Sequence, residues 1–199
     1  MPKQEHRLKY QDMPVGTITR SATSGGSSMD HGSLSGRGAT DAHSQYLLLT
    51  TVFPSVRVSN SADQTIANND AAVVLTFNTD LWDTAGFHST TTNTSRLTVP
   101  PGYDGTYMIG GTAQFEAAAA GQRIYSICYN GDLNNPIMQV QHTNNTAANR
   151  MALPVITPYQ LDADDYVEFR VYQNRGGVLD IRAINYWSPV FWMIRIGPK

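Results

Sequence analysis

The stretch VVLTFNTDLWDTAGFHSTTTNTSRLTVPPGYDGTYMIGGTAQF, residues 73–115, contains the clearest indication of the fold. At its start, apolar side chains fall on every second residue, at Val73, Leu75 and Phe77. The alternation returns near its end, at Tyr107, Ile109, Ala113 and Phe115. A period of two places such side chains on one face of a half-buried β-strand. The stretch therefore predicts strands that are interrupted by a polar loop and by a Pro-Pro-Gly break.

Beyond about Val52 the chain continues in short runs of the same kind. The run YVEFRVY, residues 166–172, turns three apolar side chains one way and Glu168 and Arg170 the other. The apolar members of this run and of the last run, FWMIRI, are Val167, Phe169, Val171, Trp192, Ile194 and Ile196. Each set indicates a half-buried strand, and we expect Phe169 in the core.

Turn signals separate these runs. Asn130-Gly131 follows IYSICY, and Gly176-Gly177 follows VYQNR. Both pairs supply the positive φ that a two-residue hairpin requires. The run EAAAAG, residues 116–121, has helix propensity but only about one turn's length, so we interpret it as a loop. Many short strands with regular turns predict an all-β fold, a jelly-roll sandwich.

The order of elements in residues 73–115 resembles the globular head of complement's first component, which belongs with the tumour necrosis factor superfamily of trimeric jelly rolls. The matching features are an aromatic strand at Phe77, a polar loop at residues 82–94, and Gly105-Thr106-Tyr107 opening a long strand. The resemblance extends over residues 56–197. It implies heads that pack through apolar strand faces around a threefold axis. An aromatic surplus points the same way, although the alternative is that these side chains simply cover strand faces: Tyr125, Tyr129, Tyr159, Tyr166, Tyr172, Tyr186, Trp187 and Phe191.

The composition argues against several classes of function. The chain has 199 residues and a formal net charge of −2, whereas nucleic acid favours a basic stripe. No run approaches the ~18–20 apolar residues of a membrane span, and the first residues, MPKQEHRLKYQDMP, show no signal-peptide pattern. Cys128 is the single cysteine, so no intrachain disulfide forms. Nucleotide-loop, hydrolase and zinc-protease motifs are missing, so we expect no catalytic residue and no cofactor. The charge and the lack of a long apolar run lead us to expect no nucleic acid and no membrane partner.

The stretch DHGSLSGRGATDAHSQYLLLT, residues 30–50, resembles a linker of phage virion proteins that often precedes a trimeric head. The matching residues are Asp30, His31, Leu34, Gly36, Asp41, His43, Gln45, Tyr46 and Leu47. The resemblance implies a trimerising neck whose apolar side chains are shared by three copies. His31 and His43 either form imidazole rings on the threefold axis, as a metal site, or hydrogen-bond turn carbonyls. The second alternative is favoured, because no second-ligand spacing of a known metal site is present.

These features divide the chain into an extended virion-docking arm at residues 1–29, a neck at residues 30–51 and a jelly-roll head at residues 52–199. We interpret the chain as a structural protein of the phage virion surface. It would be a homotrimeric short fibre or knob, bound to other virion proteins through the arm and displaying its head to a host-surface glycan. One alternative is a capsid-decoration or head-fibre trimer, which the short chain favours. The other is a bacterial cell- or spore-surface lectin, against which stand the missing signal peptide and Gly-x-y stalk.

Sugar binding needs aromatic faces for sugar rings and amides for hydroxyls; residues 185–188 and residues 81–88 each combine them, and residues 142–150 add further polar side chains. The candidate ligand-binding residues are Trp82, His88, Asn144, Asn145, Tyr186 and Trp187. The same residues suit loop packing or a trimer interface equally well. The turn LDADDY groups Asp162, Asp164 and Asp165, whose carboxylates are ligands that calcium prefers. An acidic turn between strands is the simpler interpretation, because the twelve-residue calcium loop pattern is absent.

Overall fold

The computed structural model describes residues 53–68, 72–143 and 149–199. All of these residues belong to the predicted head. The predicted arm at residues 1–29 and the predicted neck at residues 30–51 lie outside the described residues, and so does every residue named for trimerisation or metal binding in the neck.

Fourteen β-strands form the described part of the head. In chain order they are β1 (Ser55–Ser59), β2 (Gln64–Ile66), β3 (Val73–Val74), β4 (Thr79–Asp83), β5 (Arg96–Thr98), β6 (Gly105–Thr112), β7 (Gln114–Ala118), β8 (Gln122–Tyr129), β9 (Met138–Thr143), β10 (Asn149–Ala152), β11 (Val155–Leu161), β12 (Tyr166–Gln173), β13 (Leu179–Ile181) and β14 (Val190–Gly197). A short 3-10 helix, Asn185–Trp187, precedes β14. Within the described residues, no helix has the length and apolar character needed to span a bilayer.

The strands pair antiparallel in three sheets. The first sheet has the order β11-β6-β14-β1-β4, and the second has the order β10-β7-β13-β2. The third sheet has the order β3-β12-β8-β9, with β5 also paired to β12. The first and third sheets face each other, because Phe191 of β14 stacks on Phe169 of β12 with 5.7 Å between ring centroids. The predicted all-β sandwich is confirmed.

One hydrophobic core lies between these sheets, and the alternation of the sequence supplies it. The residues expected on inward faces are buried: Leu75, Phe77, Tyr107, Ile109, Ala113, Phe115, Val167, Phe169 and Val171. Val73 is partly buried against the same cluster. Phe191 stacks on Phe77 as well as on Phe169, with 5.8 Å between the Phe77 and Phe191 centroids. The prediction that Phe169 lies in the core is confirmed.

The last strand is apolar on both faces. Trp192 and Ile194 share one face of β14, as the alternation predicted, but this face points away from the core; a register shift between Arg195 and Gly197 interrupts the alternation at Ile196, which is 49% exposed. Phe191 and Met193, each 0% exposed, fill the core from the other face. Phe191 therefore does not belong to an aromatic surplus available for trimer contacts.

The prediction of two-residue hairpins is wrong. Asn130 and Gly131 do adopt positive φ values, of 46° and 75°. However, β8 ends at Tyr129 and β9 begins only at Met138, so a longer loop joins them. Gly176 also has a positive φ, of 99°, but β12 and β13 belong to different sheets. Turn residues fix the local backbone, whereas the core decides which strands pair.

The run EAAAAG is only partly a loop. Residues 116–118 belong to β7, because Phe115 packs in the core and the residues that follow it continue the same strand. The chain reverses after the strand, where Ala120 and Gly121 have φ values of 61° and 78°. Helix propensity over about one turn is too weak to compete with strand pairing.

Candidate functional site

The outward side of the first sheet is apolar. Its outward apolar side chains, called here the apolar face, are Met108, Ile156, Pro158, Val190, Trp192, Ile194 and Ile196. They are neighbours across strands, since Met108 pairs with both Pro158 and Ile194. Ile156 is 51% exposed and Ile196 is 49% exposed. Exposed apolar side chains grouped in this way make the face a candidate interaction site.

A row of residues crosses the apolar face from one edge of the sheet to the other. Strand register aligns Ile156 with Gly110, Gly110 with Trp192, Trp192 with Arg57, and Arg57 with Trp82. Side chains in register on one face lie close enough to contact one another. The row therefore places Trp82, a predicted ligand-binding residue, at the edge of the apolar face.

Arg57 is the polar member of this row. Its Cζ lies 5.4 Å from the centroid of the Trp82 ring, which is a cation–π arrangement. Its Nε is buried and has no hydrogen-bond partner among the described residues. A buried donor without an acceptor costs free energy, so an acceptor supplied from outside this part of the chain would stabilise Arg57.

His88, another predicted ligand-binding residue, holds a loop together. Its side chain is 0% exposed. Nδ1 lies 2.6 Å from Oδ1 of Asp80, and Nε2 lies 3.2 Å from the carbonyl oxygen of Thr94. Asp83 accepts hydrogen bonds from the backbone N–H groups of Gly86 and His88, at 2.8 and 2.9 Å. Both ring nitrogens of His88 are occupied within the fold, so the imidazole is not presented to a ligand.

The structure does not bring the predicted ligand-binding residues together. Trp82 lies in the edge strand β4 and is 44% exposed. Tyr186 and Trp187 lie in the 3-10 helix before β14, where Trp187 is 37% exposed. Asn144 and Asn145 lie outside the described residues. The described members therefore occupy separate elements and form no common site.

An open cleft of about 560 Å³, called here the edge cleft, lies beside β11. Its lining residues are Thr106, Tyr129, Pro158, Tyr159, Gln160, Asp162, Asp165 and Lys199. The Lys199 ammonium pairs with Oδ1 of Asp162 at 2.5 Å. The rings of Tyr129 and Tyr159 contact each other with 5.4 Å between centroids.

Asp165 is the structural centre of the acidic turn. It accepts hydrogen bonds from the Tyr129 hydroxyl at 2.9 Å, from the Asn130 amide at 2.7 Å and from the Asp162 N–H at 2.7 Å. Burial raises the pKa of Asp165, but these hydrogen bonds outweigh burial and hold the pKa below its ordinary value. The Asp165 carboxylate is thus engaged in hydrogen bonds within the turn. In the described part of the chain, no group of three or more His, Cys, Asp or Glu residues is placed to hold a metal ion.

A second cleft, of about 270 Å³, lies on the outward face of the third sheet. It is called here the Arg170 cleft, and its lining residues are Ala72, Ile124, Leu133, Asn134, Gln139, Arg170 and Tyr172. The guanidinium of Arg170 donates from Nη1 to the Leu133 carbonyl oxygen. Its Nε is buried without a hydrogen-bond partner among the described residues. The alternation of YVEFRVY places Arg170 outward, but nothing in the sequence indicated that the loop containing Leu133 covers it.

Cys128 lies on β8 and is 0% exposed. Burial raises the pKa of its thiol, with smaller opposing and reinforcing effects of Arg170, Glu168 and Asp132. The thiolate form, which is the reactive one, is therefore disfavoured.

No family model and no curated protein matches this chain. Among solved structures, the chain is similar to Eiger TNF from S. frugiperda, with a TM-score of 0.55 and 12% identity over 75% of this chain and 96% of that chain. It is similar to murine APRIL, with a TM-score of 0.54 and 5% identity over 73% of this chain and 100% of that chain. The globular domain of zebrafish complement 1qA protein gives a TM-score of 0.48 and 15% identity over 73% of this chain and 99% of that chain. The described part of the chain therefore has the antiparallel jelly-roll fold of tumour necrosis factor-like domains.

Proposed function

We propose that the chain is a structural protein of a phage virion surface, a homotrimeric short fibre or knob whose head binds a host-surface glycan. The observation that carries the trimer is the apolar face. Trp192 and Ile194 on this face point away from the core, in a strand whose opposite face already fills the core. Burying such side chains against a second copy gains about 25 cal/mol for each Å² removed from water.

A ring of three copies requires two different surfaces on each copy, because its contacts run head to tail. The apolar face is one of these surfaces. The edge formed by β9 and β11 is the candidate for the other, since Met138 on β9 is 37% exposed and Tyr159 on β11 is half-buried. The buried Arg57 Nε beside this face would be stabilised by an acceptor from a neighbouring copy.

The oligomeric state of the full chain tests this assembly. We expect native mass spectrometry at micromolar concentration to give three times the mass of the chain. Ile194→Glu places a carboxylate on the apolar face and is expected to give monomers. Val178→Glu is the matched control, because Val178 is 58% exposed and precedes β13 in the second sheet. A monomeric wild-type chain, or a trimeric Ile194→Glu variant, would contradict the proposed interface.

The virion role is supported by the linker resemblance at residues 30–50. Deleting residues 1–29 is expected to leave the trimer intact and to abolish its incorporation into particles. Wild-type occupancy of the truncated chain on particles would place the anchor elsewhere. Particles that carry the trimer on the capsid and bind host cells equally well without it would instead support the capsid-decoration alternative.

A further inference from the structure

The Arg170 cleft lies on the layer of the head opposite to the apolar face. Arg170 is at the centre of the third sheet, because it pairs with Ser126 of β8 and with Val74 of β3. Ser126 pairs in turn with Gln139 of the edge strand β9. The cleft therefore faces away from the apolar face, while its Gln139 side borders the β9 edge that the proposed assembly also uses.

Arg170 has no carboxylate partner in the part of the chain that the structure describes. Among the described residues no carboxylate lies within ion-pair distance of it, whereas Arg96 pairs with Glu168 at 3.3 Å and Arg182 pairs with Asp63 at 2.9 Å. The Leu133 carbonyl accepts from Nη1 alone, and the buried Nε has no acceptor within residues 53–68, 72–143 and 149–199. The planar guanidinium is held in place with donor capacity to spare, which suits a carboxylate ligand.

Asp132, an acidic side chain close enough to feel the charge of Arg170, is already hydrogen-bonded within its own turn. Asp132 accepts hydrogen bonds from the Asn134 N–H at 3.0 Å and from the Asn135 side-chain amide at 3.0 Å. Those hydrogen bonds lower the pKa of Asp132 most, and the charge of Arg170 contributes least. Asp132 therefore does not supply the missing acceptor.

The remaining lining has the chemistry of a sugar site. Ser126 Oγ donates to Oε1 of Gln139 at 3.3 Å, which leaves the Gln139 amide nitrogen to donate to a ligand hydroxyl. Asn134 offers a second amide, and Tyr172 and Ile124, paired across β12 and β8, offer apolar surface for a ring. A volume of about 270 Å³ lies just below the range of roughly 300–1,000 Å³ for small-molecule pockets, which fits one sugar residue better than a long chain.

We propose that the Arg170 cleft binds a saccharide that carries a carboxylate, with the guanidinium of Arg170 on the carboxylate and the amides of Asn134 and Gln139 on ring hydroxyls. This inference rests on the proposed glycan-binding role of the head and names the class of glycan. The carboxylate supplies the acceptor that Arg170 lacks, so a neutral sugar of the same shape binds more weakly.

The test compares each acidic sugar with its own methyl ester, which keeps the ring and removes the charge. The probes are oligomers of galacturonate, glucuronate and N-acetylneuraminate, and binding to the full chain is measured by calorimetry. We expect at least one acid to bind, and its ester to bind about tenfold more weakly or worse. Binding of none of the acids, or equal binding of acid and ester, would overturn the proposal.

Two variants assign the site. Arg170→Gln is expected to weaken binding of the acid about tenfold or more and to leave the ester unchanged. Arg182→Gln is the control, because it also removes one positive charge but lies beside Asp63 at the second sheet. If Arg170→Gln fails to fold, Gln139→Ala on the exposed edge strand is the second test variant. It is expected to weaken binding of the acid several-fold. Unchanged acid binding in either cleft variant, or full competition by inorganic phosphate, would overturn the proposal.

The oligomeric mass of each sample separates this inference from the proposed assembly. A trimer that decorates particles but binds no carboxylated sugar overturns the cleft proposal and leaves the assembly intact. If particles bind host glycan equally well with Arg170→Gln, the proposed binding role of the head is retained. The proposal that the cleft is the binding site is then overturned.

Discussion

The indole of Trp192 lies against the backbone of Gly110 on the neighbouring strand. A Cβ added to Gly110 would stand 2.4 Å from Cζ2 of the indole, far closer than atoms in contact can lie. Gly110→Ala is therefore expected to displace Trp192 and to lower the free energy of unfolding by about 1–3 kcal/mol. Because Trp192 lies on the apolar face, the proposed trimer is also expected to dissociate at higher protein concentration in the variant than in the wild type.

Gly197→Ala is the matched control for this change. Gly197 lies in β14 of the same sheet, and a Cβ there would meet nothing within 4 Å. Urea unfolding and native mass spectrometry of both variants give the comparison. Equal unfolding free energies for the two variants would show that Trp192 does not depend on a glycine beneath it.

Trp82→Ala is expected to weaken the proposed trimer rather than the proposed sugar binding. Trp82 is in register with Arg57, and removing its ring deprives the Arg57 guanidinium of its cation–π contact. Size-exclusion chromatography across a dilution series is expected to show dissociation at higher concentration than the wild type. A variant with an unchanged trimer and lost glycan binding would instead return Trp82 to the ligand-binding residues that the sequence indicated.

Phe169→Ala is expected to lower the free energy of unfolding of the head by about 3–5 kcal/mol. Phe169 is 0% exposed and stacks on Phe191 at the meeting of the first and third sheets, so its loss leaves a cavity. Val178→Ala, at a position that is 58% exposed, is expected to change stability by less than about 0.5 kcal/mol. Urea unfolding measures both, and a loss below about 1 kcal/mol for Phe169→Ala would contradict its place in the core.

Asp165→Asn is expected to cost about 1–2 kcal/mol at neutral pH, because the carboxylate accepts hydrogen bonds from Tyr129, Asn130 and Asp162. The pKa of Asp165 is lower in the folded chain than the ordinary 3.8. The stabilisation is therefore present above the unfolded pKa and is lost as the pH falls through the folded pKa. Unfolding free energies measured from pH 7 to pH 2 are expected to converge for wild type and variant at the acid end.

Asp164→Asn is the control within the same turn. Asp164 has a φ of 70°, which asparagine tolerates well, and its side chain is exposed. The same change of charge is expected to leave stability and its pH dependence close to those of the wild type. A pH dependence of Asp164→Asn that matches Asp165→Asn would attribute the effect to net charge rather than to hydrogen bonds.

The sequence predicted a strand's inward face wherever charge marked the outward one. In β12, Glu168 and Arg170 alternate with apolar residues, so the alternation by itself places Phe169 in the core. In β14, residues 190–194 are all apolar, and a period of two cannot tell the core face from an outward face that awaits a partner. The apolar residues on both faces of β14 were the one feature of the sequence that could have predicted the apolar face.

The candidate sites were harder to predict, because each depends on contacts between distant parts of the chain. The Arg170 cleft forms only because Leu133, 37 residues away in sequence, lies over the guanidinium. His88 looked like a ligand-binding residue beside Trp82, since sequence does not show that Asp80 and the Thr94 carbonyl take up its ring nitrogens. Composition identified residue types that suit sugars, but it could not show which of them share one cleft.

The burial of Cys128 makes the head convenient to label. The chain has one cysteine, and burial raises the pKa of its thiol, so a maleimide reagent at neutral pH has no reactive native target on the folded head. A cysteine introduced at Val178, which is 58% exposed, would then carry a gold cluster or a fluorophore at one known point of each copy. Electron micrographs of particles that carry this variant would show directly whether the head is attached to the tail or to the capsid, with no need to remove the native thiol.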